Sequence, residues 1–265
     1  MKSLSSLLIT SALIATSTTA SAALVAGDIA LVGFQASGSP SDSFSFATLV
    51  NVDAGTVLYF TDNGFSTGAS AGFRGVTSLD NDGNENLIKY TVGANGLAAG
   101  QVVSSLSTNA ANGVWTLTGQ IYTTGSGSYA PPSLSTTGEQ ITVFQSSNAQ
   151  PMLSGYTALY NFDNTGTYEA ASDSNKGQLA PGLVQGTSAV LLNNMTNSFQ
   201  NFNFAAFSGP ADRDTWLARM GNAANWTFVT ATTNVADSSF SVGAVPSPGA
   251  IALLGFAGLV ARRRR

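Results

Sequence analysis

The chain has 265 residues, no histidine and no cysteine, and only 9% of it is charged, against about 25% in an average soluble protein. Ser-His-Asp triads, imidazole acid–base chemistry, thiolate nucleophiles, disulfides and most zinc, copper and iron sites are thereby excluded. The net charge of −4 is unevenly spread: Lys2, Arg262, Arg263, Arg264 and Arg265 lie at the ends, and Arg74, Lys89, Lys176, Arg213 and Arg219 face all fourteen Asp and Glu, so the body carries −9. Such a field repels phosphate backbones and argues against nucleic acid as a partner.

The N-terminus begins Met1-Lys2, continues as an apolar stretch from Leu4 to about Ala15, and closes on Ala20-Ser21-Ala22. One positive charge, a short apolar run and an A-x-A site are the three parts of a secretory signal. Residues 1–22 are therefore expected to be removed, cleavage falling between Ala22 and Ala23. The competing reading is a buried N-terminal helix.

Residues 23–244 form the body. Ser, Thr, Asn and Gly supply its polarity, and they resist helix and favour turns. Alternation or β-branched and aromatic content predicts strands at 29–34, 44–50, 56–61, 87–92, 114–117, 140–144, 157–162, 189–192, 202–207, 226–229 and 240–242. The run at 44–50 reads as half-buried, with Phe44, Phe46 and Val50 on one face. Turn signals separate the strands: Asp53-Ala54-Gly55, Asp62-Asn63-Gly64, Asp82-Gly83, Ala94-Asn95-Gly96 and Thr137-Gly138. Many short strands at this spacing predict an all-β, antiparallel sandwich, and no βαβ alternation is present. The exception lies at 210–220, where early Pro210 and Asp212, late Arg219 and a following Gly221 predict a short helix. Trp216 and Met220 stand i,i+4 on it, placed to dock on the sheet.

Three features of the body carry candidate chemistry. Asp80-Asn81-Asp82-Gly83-Asn84-Glu85 alternates oxygen side chains around a glycine. Asp80, Asp82 and Glu85 are candidate calcium ligands, although the run lacks the twelve-residue EF-hand pattern, and a solvated turn is the competing reading. Glu139 and Glu169 lie beside aromatic strands and are candidate acids for carboxylate-pair glycoside hydrolysis. Trp115, Trp216 and Trp226 either stack on sugars or fill the core. No Gly-rich phosphate loop is present, and no cofactor other than calcium is expected.

The C-terminus reads Val245-Pro246-Ser247-Pro248-Gly249, then an apolar run of 12 residues from Ala250 to Ala261, then the four arginines. As a helix that run would span about 18 Å, short of the roughly 30 Å hydrocarbon core, although arginine stems can snorkel. The arginines should remain cytoplasmic by the positive-inside rule.

This three-part tail, residues 245–265, resembles a PEP-CTERM sorting signal, with Pro246-Ser247-Pro248 in place of the usual Pro-Glu-Pro. The resemblance implies recognition by an exosortase-type enzyme in the membrane after passage through the secretion machinery. It also implies delivery to the cell surface or to an extracellular polysaccharide matrix. Pro246, Ser247, Pro248 and the four arginines would form the signal; a plain membrane anchor is the alternative.

A second resemblance covers residues 25–230. It rests on Gly27 to Phe34, on Phe44 to Val50, on Ala54 to Phe65, on Gly138 to Ile141 and on Asn225-Trp226-Thr227. These resemble a recurring domain of bacterial secreted and surface proteins, similar to lamin-tail-like Ig sandwiches. It implies a fold and a setting, with no catalytic residues to carry over. The combined expectation is a non-catalytic, exported, structural or adhesive surface protein. A calcium- or glycan-binding module stands as the alternative, with a glycosidase behind it.

Overall fold

The structure is a computed structural model that describes residues 23–36, 42–67, 71–74, 87–117, 134–169, 176–193, 199–228 and 237–243. The signal residues Ala20 and Ala22, the tail with Pro246, Ser247, Pro248 and the arginines, and the candidate ligands Asp80, Asp82 and Glu85 lie outside the described residues. Ala23 lies within them and is exposed.

The body is mainly β. One six-stranded sheet runs β13-β12-β1-β2-β7-β14, where β1 is Ile29–Gln35, β2 Ser43–Thr48, β7 Gln101–Ser104, β12 Phe199–Phe202, β13 Trp226–Phe228 and β14 Ser238–Ser239. The other runs β11-β10-β9-β3-β6-β8. Here β3 is Val57–Thr61, β6 Leu87–Val92, β8 Gly113–Leu117, β9 Gln140–Ser146, β10 Tyr156–Asp163 and β11 Ala189–Leu191. A small hairpin, β4 (Phe65–Ser66) with β5 (Gly72–Phe73), leaves the end of β3. Among the described residues no helix is long and apolar enough to cross a membrane.

Aromatic side chains join the two sheets. Phe44 and Phe46 of β2 reach Phe60 of β3 at 5.0 and 5.2 Å between ring centres. Trp115 closes the group against Phe44, Phe60 and Tyr90 at 5.6, 5.3 and 4.6 Å. Further along, Phe34 stacks on Phe162 at 5.0 Å. Each such pair adds about 0.5–1.5 kcal/mol beyond its buried area.

Four expectations change. The strand at 44–50 is an interior strand with all six residues of β2 buried, not half-buried; alternation reports polarity, whereas cover depends on what packs from elsewhere. The strand expected at 202–207 ends at Phe202 and gives way to a 3-10 turn, Phe204–Ala206. The strand expected at 240–242 lies earlier, as β14, leaving Val242 in a single bridge to Ala211. The sheets are antiparallel except that β11 joins β10 in parallel, which requires a long connection and uses residues 164–188.

The helix, α1, is Arg213–Gly221, capped by Asp212, whose carboxylate accepts the amide of Thr215 at 2.7 Å. Trp216 and Met220 are buried as expected. The indole of Trp216 donates to the carbonyl of Ser241, and that of Trp226 to the carbonyl of Met220, both at 2.9 Å. The Arg219 guanidinium lies over Phe207 and Trp216 at 4.6 and 4.7 Å. Leu217 fills the space a side chain on Gly27 would need (2.3 Å), and Gly27 has φ +84°. The β1 entrance therefore admits only glycine there.

Candidate functional site

The two faces of β3, β9 and β10 differ in chemistry. Inward they present Phe60, Val143, Ile141, Tyr160 and Phe162, all part of the main core. Outward, Tyr59 and Phe144 pack beneath the β4–β5 hairpin, with Phe73 4.9 Å from Phe144 and 5.1 Å from Tyr156. Toward the other end of the same face the side chains turn polar. Pairing aligns Thr61 with Thr142 and Thr142 with Asn161, and the next row sets Gln140 beside Asp163. Asn63 follows Thr61 at the corner where β3 leaves for the hairpin.

This polar end is buried. Thr61, Asn63, Gln140, Thr142, Asn161 and Asp163 are each at most 1% exposed. Part of the cover is chain at 176–183. Gln178 donates its amide to the Phe65 carbonyl at 2.6 Å, and Ala180 and Leu183 join the apolar half of the face. A side chain on Gly177 would strike the backbone of Phe65 at 2.4 Å, so the segment runs against β4 with no space between them. Tyr168, Glu169, Lys176 and Gln178 are only partly buried, which leaves the polar end one layer from solvent.

The hydrogen bonds within it are lopsided. The Asn63 side-chain amide donates to the Thr61 hydroxyl at 2.7 Å, that of Asn161 to the Thr142 hydroxyl at 3.0 Å, and that of Gln140 to the Gln178 carbonyl at 3.5 Å. Asp163 accepts the amide of Thr165 on one oxygen, Oδ1, at 2.7 Å, and the Thr165 hydroxyl lies at the same distance. The side-chain amide donors are thus used within the chain, but Asn63 Oδ1, Gln140 Oε1, Asn161 Oδ1 and Asp163 Oδ2 accept nothing, and the Tyr168 hydroxyl also lacks a partner. Most buried polar atoms in folded proteins are paired, so four idle oxygens on adjoining strands stand out.

Burial pushes the Asp163 carboxyl up to about 6; the Thr165 bonds oppose this, Glu169 adds to it, and Lys176 opposes it. Burial also raises the Tyr168 phenol, with Asp163 contributing.

The sequence-predicted acids are placed otherwise. Glu139 is buried, and its two carboxylate oxygens accept backbone amides, from Gln140 at 3.1 Å and Ser135 at 2.7 Å; it holds the start of β9. Glu169 is half-buried at the rim of the polar end. Trp115, Trp216 and Trp226 are 6%, 2% and 4% exposed, so none offers a ring face to a sugar. Asp62-Asn63-Gly64, expected as a turn signal, separates β3 from β4, and its Asp62 and Asn63 are buried. Among the described residues no three Asp or Glu side chains group as a metal site. A groove of about 370 Å³ beside Leu24, Gln145 and Thr157 is lined by no ionisable side chain.

The sequence reading missed Asn161, Asp163 and Gln140. A signal was present: Asn and Asp are depleted in strands, yet Asn161 and Asp163 flank Phe162 inside one.

Compared with known proteins, the chain matches no family model, no curated protein and no solved structure.

Proposed function

We propose that the chain is a non-catalytic exported protein of the cell surface or extracellular matrix, structural or adhesive in role, whose body is an Ig-like β-sandwich. The observation that carries this reading is the pairing of two terminal signals, Lys2 through Ala22 at the start and Pro246-Ser247-Pro248 through Arg265 at the end. On this reading the secretion machinery exports the chain and the apolar tail holds it in the membrane. An exosortase-type enzyme then sorts it outward, and extracellular polysaccharide is its surroundings. A two-sheet body with buried apolar cores of its own supports the reading, since such a body can stand by itself between the two terminal segments.

Intact mass combined with fractionation of the native host tests this. The expected product starts near Ala23, ends near Pro246 and is found in the surface or medium fraction. A product that retains Arg265 in the cytoplasmic membrane makes the tail a plain anchor. Equal surface retention of a tail-deleted chain would end the sorting reading.

The alternative, a calcium-binding surface module, gains one observation of its own: the idle oxygens at the polar end of the second sheet.

A further inference from the structure

We propose that the outer face of β3, β9 and β10 holds one hard divalent cation, of the calcium type, ligated by Asp163 Oδ2 with the carbonyl oxygens of Asn63, Gln140 and Asn161. These residues are separate from the acidic run at 80–85. The site goes beyond the sorting reading, which adds only that an exported protein meets calcium at millimolar concentration.

Four unpartnered atoms on this face are oxygen acceptors, the nitrogen donors of the same side chains are already engaged, and the one further unpartnered group beside them is the Tyr168 hydroxyl, which can turn an oxygen lone pair to a cation as well. A ligand that satisfies acceptors only must bring positive charge or its own donors. Oxygen-only sets of carboxylate and amide carbonyl suit calcium, which takes 6–8 oxygens in flexible geometry, with water completing the shell. Magnesium is a poorer match because it demands near-octahedral ligands and dehydrates reluctantly.

Placement follows from pairing. Asn161 and Asp163 share one face of β10, Gln140 lies across from Asp163 on β9, and Asn63 is tied to Thr61, whose neighbour Thr142 also holds Asn161. The charges that act on Asp163 are Glu169 and Lys176, and the buried carboxylates Asp62 and Glu139 adjoin Asn63 and Gln140 in sequence. A single ligating carboxylate, with Lys176 opposing, sets a weak affinity of about 0.1–1 mM, the range of extracellular calcium modules. The carboxylate must be ionised to bind.

The test is thermal unfolding of the full chain, stripped with chelator and titrated with calcium chloride at pH 7.5. The midpoint is expected to rise by about 3 °C by 10 mM calcium, and by less with magnesium. The rise should vanish in Asp163→Asn. It should persist in a triple Asp80→Asn, Asp82→Asn, Glu85→Gln variant. Asn161→Asp adds a second carboxylate and should reach half-saturation at roughly tenfold lower calcium; this gain remains readable even if Asp163→Asn folds poorly. An unmoved midpoint in the unaltered chain overturns the proposal. So does a rise that survives Asp163→Asn, or one lost in the triple variant alone, which would place the ion on the acidic run. Because the readout is purified protein, it is unaffected by whether the tail is sorted.

Discussion

The two faces of β3, β9 and β10 are equally buried and are filled by opposite means. The inner face closes with rings and aliphatic chains that ask nothing of their neighbours beyond contact. The outer face starts in the same way, with Tyr59 and Phe144, then becomes Thr61, Thr142, Asn161, Gln140 and Asp163 beneath a cover drawn from distant parts of the chain. Burying apolar area stabilises by about 25 cal/mol per Å², whereas burying a polar atom without a partner costs about 1–3 kcal/mol. The inner face therefore holds the fold, whereas the unpartnered atoms of the outer polar end cost stability.

The largest effect should come from breaking the inner face. Phe60 touches Phe44, Phe46 and Trp115, and Phe60→Ala is expected to cost about 3–5 kcal/mol in denaturant unfolding. A cost below about 1 kcal/mol would mean that the aromatic group is not the core.

Asp163 should behave in the opposite sense. Its folded carboxyl lies at about 6 against an ordinary 3.8, with burial the main cause. Between those pH values the native state binds more protons than the unfolded state. The group's contribution is thus fully present below about pH 4 and is lost as pH rises through 6. With calcium chelated, Asp163→Asn should therefore raise stability at pH 8, by on the order of 2–3 kcal/mol for a shift of about two units. The gain should disappear near pH 3.5. A gain of equal size at both pH values would show that charge burial is not its source.

Thr142→Val tests the partnered half of the same row. The exchange keeps shape but removes the acceptor of the Asn161 side-chain amide, and it should cost about 1–2 kcal/mol. No loss would mean that Asn161 finds another partner as readily.

The contrast between the faces also marks how far the sequence could be read. Strands at 29–34, 56–61 and 87–92 were legible because β-branched and aromatic residues cluster there, and α1 was legible because Asp212, Arg219 and Gly221 are local signals. β7 was not: Gln101-Val102-Val103-Ser104 is too short to show a period and owes its place to pairing with β2 and β14. The polar end was hidden for a related reason. Tyr160-Asn161-Phe162-Asp163 alternates like any strand with one wet face. Its cover comes from Phe65, Phe73 and residues 176–183, and no local pattern announces a lid supplied from elsewhere in the chain. The candidate ions of the sequence reading, by contrast, were sought among adjacent residues, where a loop is visible but a strand-to-strand row is not.

The smallest effect concerns a buried acid that is fully partnered. Asp28, 7% exposed at the start of β1, accepts the Val25 amide on one oxygen and the Arg213 guanidinium on the other, both at 2.8 Å. Arg213 also donates to the Ala26 carbonyl at 2.9 Å, so it fastens α1 to the β1 entrance. Its other partner, Asp214, lies in solvent with 82% of its side chain exposed. Arg213→Met keeps the stem and removes the charge; the expected loss is about 1 kcal/mol, the upper end for a partly exposed pair. Asp214→Asn should change nothing measurable, because water and salt already screen that contact. If the two variants were equally costly, cover would not decide what an ion pair is worth here. If Arg213→Met alone is costly, Asp28 shows how this chain settles a buried carboxylate from its own residues. Asp163, two residues from its nearest donors and with one oxygen idle, then marks the place where a partner from outside the chain would have to do the same.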